Sequence, residues 1–215
     1  VIIAMTQLTD GSGDRYPSGR RKQPLGIRTG GAAWNQVHQE LAVVALRFLT
    51  ERGYGGMAMD DVAEGAGVAK RTIYRHYPAK IELGVAAVRQ MPTYGQFEPA
   101  EGPMEQQLRD YIGWTYAIEA SLPLVLATAI AHSGSDPQLL AAVREHVLIP
   151  REAAFAAHLK RGQDTGEIKA DIKPAAVSAL STGMQFDHFT GLHPWSSDES
   201  GTDYAMSIIW PMLRP

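Results

Sequence analysis

Seven side chains between positions 70 and 80 are the ones best suited to chemistry: Lys70, Arg71, Thr72, Tyr74, Arg75, His76 and Lys80. All are hydrogen-bond donors, four are fixed cations, and one is a large aromatic. That set suits a surface of phosphates and base edges. Arg71 can read guanine through a bidentate pair, and Thr72 can touch a thymine methyl. Arg75 is read either as a contact or as a solvated surface charge. Constellations for catalysis do not occur. The chain has no Cys, and it contains no G-x-S-x-G, no Gly-rich phosphate loop and no H-E-x-x-H. Its seven His lack metal-ligand spacing. No metal or cofactor is expected, and the rival from another class is a helical small-molecule carrier or an enzyme with dispersed residues.

These residues need a scaffold, and MDDVAEGAGVAKRTIYRHYPAK, from Met59 to Lys80, supplies one. It reads as a short helix, a turn and a second short helix, followed at once by another helix start. Val62, Ala63 and Ala66 form a small inner face. Gly67 allows the positive φ of a tight turn. Val68 and Ile73 turn inward on the second helix with Tyr77. Lys70, Arg71, Thr72, Tyr74, Arg75 and His76 are left to look outward. A longer helix from about Ala33 to Arg52 precedes this pair, with Val37, Leu41, Val44, Ala45, Phe48 and Leu49 at helical spacing and Gly53 as its end.

The run from Val37 to Ala86 resembles the DNA-binding domain of the tetracycline-repressor (TetR) family. The pieces that carry the resemblance are ALRFLTERGYGG, DDVAEGAGVAK and RTIYRHYPAKIEL, in order and without a gap. Gly53-Tyr54, the Tyr74-x-x-Tyr77 pair and Lys80 make it specific. It implies DNA contacts from Lys70, Thr72, Tyr74, His76 and Lys80, with Tyr74, His76 and Lys80 on phosphate. The family places Ser, Thr, Asn or Asp at the amino caps of its second to fourth helices. Ala58, Ala69 and Ala79 stand there in this chain. Each replacement costs about 1 kcal/mol against a good cap and removes a hydroxyl donor to phosphate.

Charge is divided along the 215 residues. The net charge is −3. Residues 1–80 hold eleven Lys/Arg against seven Asp/Glu, and the remainder nine against sixteen. A basic amino-terminal part on an acidic body suggests that one end meets DNA. Residues 1–31 read as a disordered arm, made basic by Arg20, Arg21, Lys22 and Arg28; it is either a solvated tail or a phosphate and minor-groove contact. Residues 32–91 form the DNA-binding domain with a linking fourth helix, 92–102 a linker, and 103–215 a larger body. The absence of Cys fits a reducing cytoplasm, and no apolar run long enough for a membrane span occurs.

The body reads as helices opening at Pro103, Pro123, Pro137 and Pro174, with a last helix from Thr202 to Leu213 and a loop between Gly191 and Gly201. Pro150 should kink or break the third of these. The expected fold is therefore all-α. The resemblance implies a body that binds a small-molecule effector and forms a homodimer. Tyr111, Trp114, Thr115 and Ile118 share a helix, and Leu122, Leu126, Phe155, His158, Met184 and Phe186 are expected to join them around one cavity. The same residues also suit an ordinary core. His132, His158 and His188 are the polar candidates. Ala175, Ala179, Thr182 and Gly183 with Phe186, and Met206, Ile209, Trp210 and Leu213 on the last helix, are candidates for a four-helix dimer interface. The expected partners are a double-stranded operator, an effector and a second copy.

Overall fold

The computed structural model describes residues 31–92, 97, 100–118, 122–192 and 200–215. The expected arm, linker residues 93–96 and 98–99, and loop residues 193–199 lie outside the described residues. Every regular element among the described residues is helical. In chain order they are α1 (Ala32–Gly56), α2 (Met59–Gly65), α3 (Lys70–His76), α4 (Lys80–Val88), α5 (Met104–Ile118), α6 (Leu122–Ala131), α7 (Pro137–Val143), a π-helical turn (Arg144–Leu148), α8 (Ile149–Asp164), α9 (Pro174–Thr190) and α10 (Gly201–Leu213).

The apolar spacing of α1 explains its packing. Leu41, Ala42, Ala45, Phe48 and Leu49 are buried, and the helix lies chiefly against α4 and α6. Gly53 breaks the axis at φ 69°, and one more turn follows to Gly56. The expected helix end is thus a kink. Past α2, the amide of Val68 donates to Ala63 O at 2.9 Å and that of Gly67 to Glu64 O at 3.0 Å, with Gly67 at φ 65°. That closure stops α2 and starts α3 at a sharp angle.

Pro150 does not break its helix. The chain stays helical from Pro137 to Asp164, and the π-helical turn just before Pro150 absorbs the missing donor. The Ile149 amide donates to Arg144 O, five residues back. The wider turn moves carbonyls away from the proline ring, which would clash in a regular helix. At the last helix, Ser200 is the amino cap, accepting from the Asp203 amide at 3.1 Å, so α10 opens at Gly201 rather than Thr202.

Packing does not follow the expected division at 92–102. One core joins α1–α4 to α6 and α7: Leu83, Ala87 and Val88 meet Leu122, Val125, Ala129, Leu139 and Val143. A second core holds α5, α8, α9 and α10, around Leu108, Tyr111, Ile112, Phe155, Leu159, Ala205, Ile209 and Leu213. Half-buried Trp114 packs against both.

Candidate nucleic-acid interface

On α3, Ile73 is fully buried while Lys70, Arg71, Tyr74 and Arg75 are exposed and Thr72 is half-buried. Ile73 therefore anchors a face of donors. Tyr74 is a large aromatic left 49% exposed. Lys70 Nζ lies 2.5 Å from Asp60 Oδ2, and Arg52 Nη1 is 3.3 Å from Asp61 Oδ2. Hydrogen bonding and the Asp60 charge hold the Lys70 ammonium above its ordinary range. Exposed pairs of this kind are weak, so a phosphate can replace the carboxylate. Ala58, Ala69 and Ala79 do occupy the amino caps of α2, α3 and α4, and none makes a side-chain cap hydrogen bond. The free amides there remain donors for an anion.

Lys80 is already engaged. Its ammonium sits 4.6 Å over the Tyr54 ring and donates to Gly55 O at 3.2 Å. Burial lowers its pKa, against the opposing pull of Asp136. Tyr54 is itself clamped from the body. Its amide donates to Thr128 Oγ1 at 3.0 Å, and the His132 ring meets it edge-on at 5.1 Å. Burial, then the Asp136 carboxylate, pushes its phenol up to about 12. Sequence reasoning missed Thr128 and its link to the Gly53-Tyr54 pair, because the two lie far apart in the chain.

His76 corrects the sequence expectation. It does not look outward: it is 7% exposed and stacked on Trp34 with ring centroids 3.7 Å apart. His38 lies 5.7 Å beyond it and stacks in turn on Tyr77 at 4.2 Å. Burial, then His38 and Arg75, lowers the His76 pKa. Tyr77 is core, as its inward register requires, and its hydroxyl donates to His38 O at 2.9 Å. The Arg75 guanidinium sits 5.3 Å over the Trp34 ring. Trp34 was not among the sequence candidates. Its only signal is that it lies one helical turn before His38.

In the body, the expected pocket residues separate into two groups. Tyr111, Trp114, Phe155 and His158 come together with Phe97, which sequence reasoning did not include. Tyr111 meets His158 at 4.6 Å, Phe155 at 5.4 Å and Trp114 at 6.1 Å, while Phe97 is 5.4 Å from Tyr111, Trp114 and His158. Met184 is buried in the same core. Leu122, Leu126 and Phe186 instead border a narrow crevice of about 10 Å³ between α6 and α9, with Thr182 and Gln185. Buried Thr115 joins the groups, accepting from Gln185 Nε2 at 3.2 Å. The nine whose side chains are described thus fall in two groups rather than around one cavity. Ile118 ends α5, and its side chain lies outside the described residues. His158 is buried; Arg161 Nη2 donates to its Nδ1, and burial with the Arg161 charge lowers its pKa to about 4. His132 serves the Tyr54 clamp, and His188 lies among Tyr116 and Phe189.

The expected dimer residues also separate. Ala175, Ala179 and Gly183 form an exposed stripe on α9, with Thr182 half-buried beside it. On α10, Met206, Ile209 and Leu213 are buried within the subunit's own core and are corrected to intramolecular packing. Trp210 is half-buried. Residues 206, 209 and 213 share one helix face, and α5 already covers it.

Comparison with known proteins agrees with this geometry. Residues 41–87 match the family model described as bacterial regulatory proteins of the tetR family, and residues 99–198 match a tetracyclin repressor-like C-terminal domain. An uncharacterized HTH-type transcriptional regulator of Mycobacterium bovis is 30% identical over 182 residues, covering 83% of this chain and 78% of the relative. The chain belongs to the TetR family. The TetR DNA-binding transcriptional repressor of Mycobacteroides abscessus is 29% identical over 146 residues, 67% of this chain and 77% of that one. In fold, a TetR transcriptional regulator from Chloroflexus aurantiacus superposes with a TM-score of 0.63 at 18% identity, covering 84% of this chain and 97% of the other. This TetR-family chain is thus a helix-turn-helix transcriptional regulator that binds DNA through the domain carrying α2 and α3. Among the described residues, no single helix is long and apolar enough to cross a membrane.

Proposed function

We propose that this regulator is a homodimeric repressor of an inverted-repeat operator, released by an apolar or aromatic small molecule. The observation that carries the reading is the α3 face: Lys70, Arg71, Thr72, Tyr74 and Arg75 accessible on a helix pinned by Ile73. Arg71 and Thr72, early on the helix, address base edges, while Lys70, Tyr74, Arg75 and Lys80 address phosphate. His76 acts from inside as an anchor. A dimer presents two such faces to half-sites about one helical turn apart. Residues 32–91 supply the DNA contacts, and 103–215 supply effector binding and assembly. The repressor role draws support from the Mycobacteroides relative's name; the alternative is an activator or a partner-controlled regulator of the same fold.

Release requires that the effector bind the arrangement unable to grip DNA better than the one that grips it. Two elements connect the sites. The carboxy-terminal end of α4 is tied to the body by His146 Nε2, which donates to Met91 O at 3.2 Å. The second, α6, runs from the Leu122–Leu126 crevice at one end to Thr128, which holds Tyr54 and through it Lys80. A molecule entered beside Trp114, Phe155 or Phe186 shifts α6 and unseats Lys80. Coupling of about 1–3 kcal/mol is typical of such a pair.

Duplexes selected from a randomised pool by the wild-type protein supply the operator, and a compound screen for loss of binding supplies the inducer. Trp114→Ala and Phe155→Ala should reduce the inducer's effect while sparing operator affinity. If both variants respond to inducer as wild type does, the aromatic group around Tyr111 is not the effector site.

A further inference from the structure

The start of α1 faces the last turn of α3, and Trp34 makes the contact with its last two residues. Its ring is stacked on His76 at 3.7 Å and lies 5.3 Å from the Arg75 guanidinium carbon. Two successive residues of the recognition helix thus rest on one indole. The helix is only seven residues long, and its carboxy cap, Tyr77, has extended backbone angles. So short a helix gains little from its own hydrogen bonds and takes its position from what packs against it. His76 gives that packing a buried side, and Arg75 gives it an exposed one. We propose that Trp34 is a positioning residue for DNA binding: it holds the Arg75 guanidinium on its ring so that the in-plane N–H donors stay free for a backbone phosphate.

The chemistry favours this use of an indole. Arginine has a planar charge that stacks on an aromatic face without spending its donors. Holding the side chain in one place beforehand lowers the ordering cost on binding. Lys70 and Lys80, by contrast, sit on Asp60 and on the Tyr54–Gly55 pair before DNA arrives. Arg75 is held by an aromatic surface and, among the described residues, spends no side-chain hydrogen bond. The inference rests on the proposed DNA-facing role of α3 and adds a residue of α1, outside the helix-turn-helix.

The test is a double-mutant cycle on the full chain, using the selected duplex and a scrambled duplex across a salt series. Arg75→Ala should weaken binding about tenfold and make the salt dependence shallower by about one counterion. Trp34→Leu, which keeps apolar bulk but not the π face, should weaken binding about two- to fivefold. Trp34→Tyr should restore it. In the Arg75→Ala background, Trp34→Leu should cost nothing more. Equal loss from Trp34→Leu in both backgrounds would mean that the indole is packing only and would overturn the proposal. An Arg75→Ala variant with unchanged affinity and salt slope overturns it too, while leaving the DNA-binding reading intact. A wild-type protein that retains no duplex would instead sink that reading itself.

Discussion

At the residue scale, each side chain of the interface is decided by what it touches before DNA does. Arg71 is exposed early on α3, so its guanidinium is available for a base edge. Lys80 spends one ammonium donor on Gly55 O and keeps two for a phosphate. Lys80→Ala should therefore weaken binding to specific and random duplex alike, whereas Arg71→Ala should also relax base preference at one position of each half-site, at about 1–3 kcal/mol. Equal losses on both duplexes for Arg71→Ala would remove its base-reading role. His158 makes a second prediction. Its folded pKa is lowered to about 4 by burial and Arg161, against 6.5 for the free group. Between those values the unfolded chain binds a proton that the folded chain does not. Stability is then complete above pH 6.5 and declines as the pH falls to about 4, by about 2–3 kcal/mol. Denaturant midpoints across that window, compared with His158→Gln, should show the wild-type slope larger by one proton. Parallel slopes would show that His158 contributes no such linkage.

At the element scale, the kink in α1 does most to connect the DNA-binding helices to the body. Gly53 holds φ 69°, and a Cβ there would stand 3.2 Å from Thr128 Oγ1. The kink thus both needs glycine and brings the chain close enough for the Tyr54 amide to reach Thr128. Gly53→Ala meets strain and crowding together and should lower stability by about 1–2 kcal/mol. A thermal melt unchanged from wild type would show that the kink relaxes at no cost. Pro150 shows the opposite solution. There a helix keeps a proline by widening its preceding turn, so the chain stays helical from α7 into α8, from one core to the other.

For the whole molecule, the distribution of charge and of uncovered surface decides how it works. Basic residues concentrate in the first eighty positions and acidic ones in the rest, so DNA should attract one end and be repelled by the other. The exposed stripe of Ala175, Ala179 and Gly183 has no partner element among the described residues at its glycine: a Cβ on Gly183 would meet nothing within 4 Å. Close helix approach across a two-fold axis suits such a stripe. Gly183→Glu should leave the subunit folded but shift sedimentation toward monomer and lower operator affinity together. A variant that sediments and binds as wild type would move the interface elsewhere.

Much of this protein was legible from sequence because it rests on local rules. The period of α1, the glycine turn at Gly67, the inward Ile73 and Tyr77 and the outward Arg71 and Tyr74 follow from helix geometry over a few residues. The Tyr74-x-x-Tyr77 and Lys80 pattern carried the family from the same stretch. Tertiary structure alone decided the rest. His76 has the composition of a phosphate ligand, but Trp34, forty-two positions earlier, covers it. Met206, Ile209 and Leu213 mark an apolar face, and a periodic face shows only that something covers it, not whether the cover is α5 or a second subunit. Leu122 and Phe155 are both apolar and helical, yet they belong to different cores. Thr128 reaches Tyr54 because a kink and a helix seventy-four residues away coincide. Burial by a distant element depends on the whole packing arrangement, and no local pattern encodes which partner arrives.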